Sequence, residues 1–243
     1  MVEVIFLGAN GSVQGRGCGN TSLLIKNEGH AVLIDASVNI QEAVEADIDA
    51  VILTHAHADH IYGLPSLLHQ LWLTGRTRKL DIIIPEGIKN VAETMITLFD
   101  FRNKKAFFPM NLTSENTGDY GAIHYSLFPT DHAPSSVGVF FTISGKKILY
   151  TADTRPIKDI REEWIGTDLL IHEASGTSEN EEVLIRKGHS SGRDAAFFKE
   201  RIKAEELLLC HLPKSREEKE KVLIDTIEEC EGRIPVLLEP YLL

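Results

Sequence analysis

Residues 54–60 read THAHADH, which places three histidines and an aspartate in the six positions from His55 to His60. Few folds can carry such a segment. Imidazoles packed side by side repel one another when charged and need many partners when neutral. A divalent cation satisfies several of them at once. The apolar run Val51 to Leu53 just before the segment reads as a strand running into a loop. In extended chain, residues i and i+2 point to the same side, so His55 and His57 converge on one cation. Ile61, Leu64, Leu67, Leu68 and Leu71 have helical spacing and predict a helix from His60 to Leu73. Asp59 and His60 then sit near the helix start, turned away from the first pair and able to face a second cation.

Six positions cannot complete two sites, so other strand ends must contribute. His132 follows the strand ending at Leu127-Phe128, Asp153 closes ILYTAD, and His211 closes ELLLC. The expected sets are His55, His57, His132 and Asp153 for one metal, and Asp59, His60, His211 and a shared Asp153 for the other. A carboxylate has two oxygens with which to bridge. His30, His69 and His124 read as ordinary surface or core histidines. Asp35, in VLIDAS, closes another strand. It either orients a ligating imidazole through the free ring N–H or caps a helix over 39–46; the sequence leaves both open.

The rest of the chain gives the frame for these ligands. VEVIFL, TSLLIK, AVLIDA and DAVILT read as strands, with the glycine-rich GANGSVQGRGCGN as a long loop between the first two. DIIIP, AIHYSLFP, VGVFFTI, KKILYTAD, DLLIHEA, ELLLCHL and RIPVLL read as further strands, with a turn at Ser144-Gly145. Helices are expected over 87–99, 194–203 and 216–230. Strands cluster early and strand–helix units dominate late, which predicts mixed sheets covered by helices: an α/β or α+β layered fold. With 243 residues and no linker, a single domain over 1–243 is expected.

Composition removes several alternatives. The net charge of −11 argues against non-specific nucleic-acid binding through a basic surface. It leaves phosphate substrates open, because bound cations supply local positive charge. Basic clusters at Arg76, Arg78, Lys79 and at Arg102, Lys104, Lys105 could hold an RNA backbone, but the acidic total favours a solvated face. Cys18, Cys210 and Cys230 are too few and too scattered for a disulfide framework or a zinc finger. The N-terminus reads as a first strand and not as a signal peptide, and no stretch approaches ~20 apolar residues. A cytoplasmic protein is expected.

His55, His57, Asp59 and His60 match in full the HxHxDH motif of the metallo-β-lactamase superfamily, which the chain resembles. FLGANGS, LIDAS, THAHADHIYGLPSLL, TDHAPSSVGV, YTADTRP, LLIHEASGT, KGHSSGRDAA and LLLCHL occur in the order found in its ribonuclease Z branch. Gly63-Leu64-Pro65, the HEA at His172 to Ala174 and the GHS at Gly188 to Ser190 narrow the resemblance to ribonuclease Z and similar phosphodiesterases. It implies a four-layer αββα sandwich with the metals at one edge of the two sheets, and it implies the seven ligands named above. Two features depart from the branch. Only 20 residues separate His132 from Asp153, so there is no room for the tRNA-gripping arm, nor for the inserted domain of mRNA-cleaving relatives. The branch's GDT is ADT here.

The function expected from residues and resemblance together is a dinuclear metal-dependent hydrolase, a phosphodiesterase or ribonuclease Z-like nuclease. Two divalent metals would activate a bridging hydroxide for in-line attack on a phosphodiester, either RNA or a small molecule. Zinc suits the imidazole-rich set; manganese and iron stay open. The resemblance places His189 over the metals, as proton donor to the leaving oxygen, with Glu173 to orient it. Asp59 could assist proton movement from the attacking water. A thioesterase- or lactonase-like hydrolase on the same fold is the alternative. GHSSG also matches a serine-nucleophile elbow at Ser190, but only His211 follows it and too little chain remains. A purely structural metal site would not need an open, shared position. No membrane partner is expected, and a homodimer is left open.

Overall fold

The computed structural model describes residues 1–15, 17–37, 39–227 and 230–243. Two sheets stack face to face. The first contains β1 (Glu3–Gly8), β2 (Ser22–Asn27), β3 (His30–Ile34), β4 (Ala50–Ile52), β5 (Leu80–Ile83), β6 (Met110–Thr113) and the C-terminal β13 (Pro240–Leu242), in the order β13-β1-β2-β3-β4-β5-β6. The second contains β7 (Thr117–Tyr120), β8 (Ile123–Pro129), β9 (Val137–Ile143), β10 (Lys146–Tyr150), β11 (Leu169–Glu173) and β12 (Glu206–Cys210), in the order β12-β11-β10-β9-β8-β7. Each sheet is antiparallel on one side and parallel on the other: β3 to β6 run parallel, as do β10 to β12.

Strand alternation sorts the side chains into three cores. Val4 and Phe6 of β1 face the space between the sheets, together with Ile25, Ile34, Phe141, Ile148 and Ile171. Ile5, Leu7, Leu24 and Leu33 face the other way, under α1 (Gln41–Glu45), α3 (Leu64–Leu73) and α4 (Lys89–Leu98). On the far side of the second sheet, Leu149, Leu170, Leu207 and Leu209 pack under α6 (Gly192–Ile202) and α7 (Arg216–Ile227). Helix, sheet, sheet and helix give the expected four layers.

The structure alters several expected elements. The helix from His60 to Leu73 is two helices, α2 (Ala58–Ile61) and α3, broken at Tyr62-Gly63. The break brings the Gly63 N–H to the Ala36 carbonyl at 2.8 Å. A Cβ on Gly63 would lie 2.1 Å from the Ser37 carbonyl oxygen, so only glycine permits this approach. RIPVLL is not a strand. Arg233 and Leu237 make only isolated bridges, to Leu208 and Phe6, and Leu238 turns into the left-handed region. Pro235 has no N–H to give a ladder, and the strand that does pair with β1 is Pro240–Leu242. The polar edge strands β6 and β7 and the short α5 (Glu181–Lys187) carry too few apolar residues to register as elements in the sequence. The expected end of the last helix, at 228–229, lies outside the described residues.

Ser144 and Gly145 both have positive φ, which suits the tight β9–β10 hairpin. Nothing protrudes between His132 and Asp153. No helix among the described residues is long and apolar enough to cross a membrane.

Candidate metal centre

The site residues lie just beyond the C-terminal ends of strands, where open α/β sheets present their ligand-binding loops. Asp35 follows β3, His55 follows β4, His132 follows β8, Asp153 follows β10, Glu173 ends β11 and His211 follows β12. Three of these strand ends contain a non-glycine residue in the left-handed region: Asp35 (φ 56°), Ala152 (φ 50°) and His211 (φ 49°). Such turns cost about 1–3 kcal/mol each and persist only where the surrounding packing enforces them.

All seven expected ligands come together. Donor atoms of His55, His57, His132 and Asp153 lie within 4.8 Å of one another, and so do those of Asp59, His60 and His211. Asp153 Oδ2 sits between the two sets, 3.7 Å from His55 Nε2, 3.6 Å from His132 Nε2, 3.4 Å from His60 Nε2 and 3.1 Å from His211 Nε2. The three-imidazole cluster is less uniformly buried than the sequence suggests. His55 and His60 are inaccessible, but His57 is exposed, so the site opens to solvent on that side.

Partners behind the rings fix their tautomers. His60 Nδ1 donates to Asp35 Oδ2 at 2.7 Å, so Asp35 orients an imidazole and does not cap a helix. The N-cap position of α1 is Ile40, with no side-chain cap. Thr54 Oγ1 donates to the same Asp35 oxygen at 2.9 Å and accepts from His55 Nδ1 at 3.0 Å. His132 Nδ1 donates to the Gly188 carbonyl at 2.8 Å, and His211 Nδ1 to Ser175 Oγ at 2.8 Å. Four imidazoles therefore turn Nε2 inward, where it can bind a cation or, without one, a proton. His57 presents Nδ1 instead, 3.2 Å from His55 Nε2 and 3.0 Å from His132 Nε2. Lone pairs that close repel unless a cation or a proton lies between them.

Of the seven buried side-chain atoms without a hydrogen-bond partner among the described residues, four belong to this cluster: Asp59 Oδ2, His60 Nε2, Asp153 Oδ1 and His211 Nε2. Orphaned buried groups are rare in native proteins, and a cluster of them facing one point fits a cation site. Without a cation, burial opposes a charge on His60, but Asp153 and Asp35 outweigh it and hold the pKa well above the usual imidazole value, so a proton takes the place a metal would fill. Burial, then the neighbouring His60, holds His55 down to about 2. Burial alone would raise Asp153, but His211 and His60 keep its carboxylate well below the usual range. The donor set therefore fits divalent cations.

His189 adjoins this cluster, and its donor atom lies within 4.8 Å of those of Asp153 and His211, a third group able to hold a cation. Its ring centroid is 4.7 Å from that of His132 and 5.0 Å from that of His211. Nδ1 is 3.0 Å from Glu173 Oε1. Burial opposes protonation of His189, but the Glu173 carboxylate outweighs it and raises the pKa. Glu173 is fully buried and also accepts from the Thr154 N–H at 2.7 Å and Ser175 Oγ at 2.7 Å. Ser190 is buried and donates to the Thr154 carbonyl, which leaves it no nucleophilic role. Thr54 and Ser175 were not anticipated. Ser175 had a detectable signal, as a hydroxyl two residues past a buried strand-end glutamate.

Comparison with known proteins agrees with this arrangement. A beta-lactamase superfamily domain matches residues 30–212. A ribonuclease Z of Halobacterium salinarum is 25% identical, with 87% of each chain covered. A metallo-beta-lactamase fold protein from Bacillus subtilis superposes with a TM-score of 0.79 at 19% identity, covering 99% of this chain and 98% of the other. The short form of human tRNase Z superposes with a TM-score of 0.77 at 21% identity, covering 98% of both. These two likenesses speak to the fold, and the domain match across most of the sequence shows that the chain belongs to the beta-lactamase superfamily.

Proposed function

We propose that this protein, a hydrolase of ester bonds, is a dinuclear phosphodiesterase of the ribonuclease Z type. The observation that carries the proposal is His189: a rim imidazole kept protonatable by buried Glu173 and set against both halves of the ligand cluster. Relatives named ribonuclease Z support it. His55, His57, His132 and Asp153 would hold one cation, and Asp59, His60, His211 and shared Asp153 the other. Zinc suits this set best. Such a pair supplies Lewis acidity, making water a nucleophile near neutral pH and offsetting phosphoryl charge.

The chain's own residues do the rest. The exposed His57 side admits the substrate. His189, with Nδ1 engaged by Glu173, keeps Nε2 free to hold a proton for the departing oxygen. Asp59, with Oδ2 unpartnered and facing the cluster, is placed to assist proton movement from attacking water. The absent arm points away from a tRNA grip and toward shorter RNA or small phosphodiesters as substrates. The three scattered cysteines suit a reducing cytoplasm.

The test is turnover by the zinc-reconstituted protein of bis-p-nitrophenyl phosphate, a tRNA precursor, a thioester and a lactone. Wild-type turnover of the p-nitrophenyl diester, with cleavage of the RNA and its alkoxide leaving group lost in His189→Ala, supports the proposal. Cleavage of only the thioester or lactone overturns it in favour of another ester hydrolase on this fold.

A further inference from the structure

The two basic clusters have opposite fates in the folded chain. Arg76 is buried, pairs with Asp47, and donates to the carbonyls of Ile48, Arg78 and Lys79. Arg78 pairs with Asp47 and Asp49, and Lys79 with Asp81. That cluster clamps the entry to β4 and β5 and has no charge to spare. Arg102, Lys104 and Lys105 have no ion-pair partner among the described residues. In a chain of net charge −11, three neighbouring cations that form no ion pair among the described residues are conspicuous.

Aromatic rings surround them. Lys104 Nζ lies 5.3 Å from the Trp72 ring centroid and 5.7 Å from that of Phe101. Phe99 stacks on Phe101 at 5.9 Å and is 49% exposed. A cavity of about 250 Å³ is lined by Tyr62, Pro65, His69, Phe99, Phe101 and Lys104. Lys104 also lines an adjoining polar depression of about 550 Å³, where Arg102 and Lys89 outnumber the single acid, Glu93. Tyr62 connects the aromatic cavity to the side of the ligand cluster. Tyr62 is two residues beyond His60, and its hydroxyl bonds Gln14 at 2.6 Å and Asn20 at 3.3 Å. Those residues belong to the loop whose Gly11 packs on the His211 ring.

Exposed aromatic faces interleaved with unpaired cations are the combination that binds single-stranded nucleic acid: rings stack unpaired bases and cations track the backbone. A duplex would offer the cations its phosphates but the cavity no base face. We infer that the cavity between α3 and the Phe99–Lys104 turn takes an unstacked base of single-stranded RNA, whose backbone crosses Lys104 and Arg102 beside the metal centre. This rests on the phosphodiesterase reading and names its substrate as RNA with a single-stranded flank.

The test uses the full metal-loaded chain and a fluorescein-labelled 12-nucleotide RNA with phosphorothioate linkages, which resist hydrolysis. Phe99→Ala and Lys104→Ala should each weaken binding roughly 10-fold, and Lys104→Ala should lower the salt slope by about one. Lys104→Arg should restore the affinity, and the corresponding duplex should bind the wild type no better than the single strand binds the variants. Melting curves of the variants guard against misfolding. Unchanged affinity in both alanine variants, or no binding by the wild type, overturns the inference. So does unchanged RNA affinity with a dimer-to-monomer shift in gel filtration, which would assign the face to a second copy of the chain. Wild-type turnover of bis-p-nitrophenyl phosphate separates the two levels. If it occurs while the variants bind RNA normally, only the RNA site fails. If no phosphodiester is cleaved but RNA binding depends on Phe99 and Lys104, the phosphodiesterase reading fails and the RNA site stands.

Discussion

Glu173 Oε1 lies 3.0 Å from His189 Nδ1, with the carboxylate sealed from solvent and the imidazole at the rim of the site. The carboxylate touches no place a substrate could reach, so it works through His189 as a positioning and charge-balancing residue. Glu173→Gln keeps the shape and removes the charge, so His189 holds its proton less readily. The expected result is a fall in kcat of roughly 10- to 100-fold for phosphodiesters with alkoxide leaving groups. Substrates losing p-nitrophenolate, which needs little protonation, should change by less than about 3-fold. Equal losses on both substrates would mean that Glu173 serves only to hold the loop.

The Thr54 hydroxyl spans Asp35 Oδ2 and His55 Nδ1, so one carboxylate orients His60 directly and His55 through a neighbour. Thr54→Val preserves volume and deletes the relay. Affinity for the cation at the His55 set should fall about 10- to 100-fold in a competitive chelator titration. Asp35→Asn should do more, because both rings lose their anchor. Metal affinity equal to wild type in Thr54→Val would show that packing alone fixes His55.

How far the sequence discloses these relationships depends on the kind of interaction. The layers were legible because strand alternation is local: Val4 and Phe6 face one core and Ile5 and Leu7 another, as a period of two requires. His132, Asp153 and His211 could be chosen because each follows an apolar run, and strand ends are where such sheets carry their sites. Thr54 was not legible, and Ser175 only through its position two residues past Glu173, because a hydroxyl acquires its role only when a distant chain segment arrives opposite it. The break at Gly63 was hidden for a related reason. The helical spacing of Ile61, Leu64, Leu67 and Leu68 is continuous, and only the approach of the Ser37 carbonyl shows why the helix must stop. The two basic clusters looked alike in sequence, and the carboxylates of Asp47, Asp49 and Asp81 distinguish them in space.

Away from the site, Asp168 accepts from Lys146 Nζ at 2.6 Å and from the Lys147 N–H at 2.8 Å. Burial pushes its pKa up, and these two donors outweigh burial and leave it lowered. A carboxyl with a folded pKa below its unfolded one contributes stability above the unfolded value, ~3.9, and loses it as pH falls through the folded value. Asp168→Asn should therefore lower Tm by about 2–4 °C at pH 7, and the difference should close below about pH 3. A deficit that persists at acid pH would mean the loss is one of shape and not of charge.

The division of the cluster into two ligand sets makes a stoichiometric prediction. His211 contributes to the Asp59–His60 set, while His55, His57, His132 and Asp153 are complete without it. The reconstituted wild type should hold about two zinc ions per chain by elemental analysis, and His211→Ala should hold about one. Chelation of the wild type should lower Tm, because His57 Nδ1 and His132 Nε2 at 3.0 Å, with Asp153 Oδ1 unpartnered, are left without a counter-charge. Zinc at 100 times its Kd should restore about 2.7 kcal/mol per site. Because Asp153 Oδ2 touches both sets, Asp153→Ala should empty both sites at once. Retention of one ion by Asp153→Ala would show that the bridge is not shared, and retention of none by His211→Ala would show that the two sites fill only together.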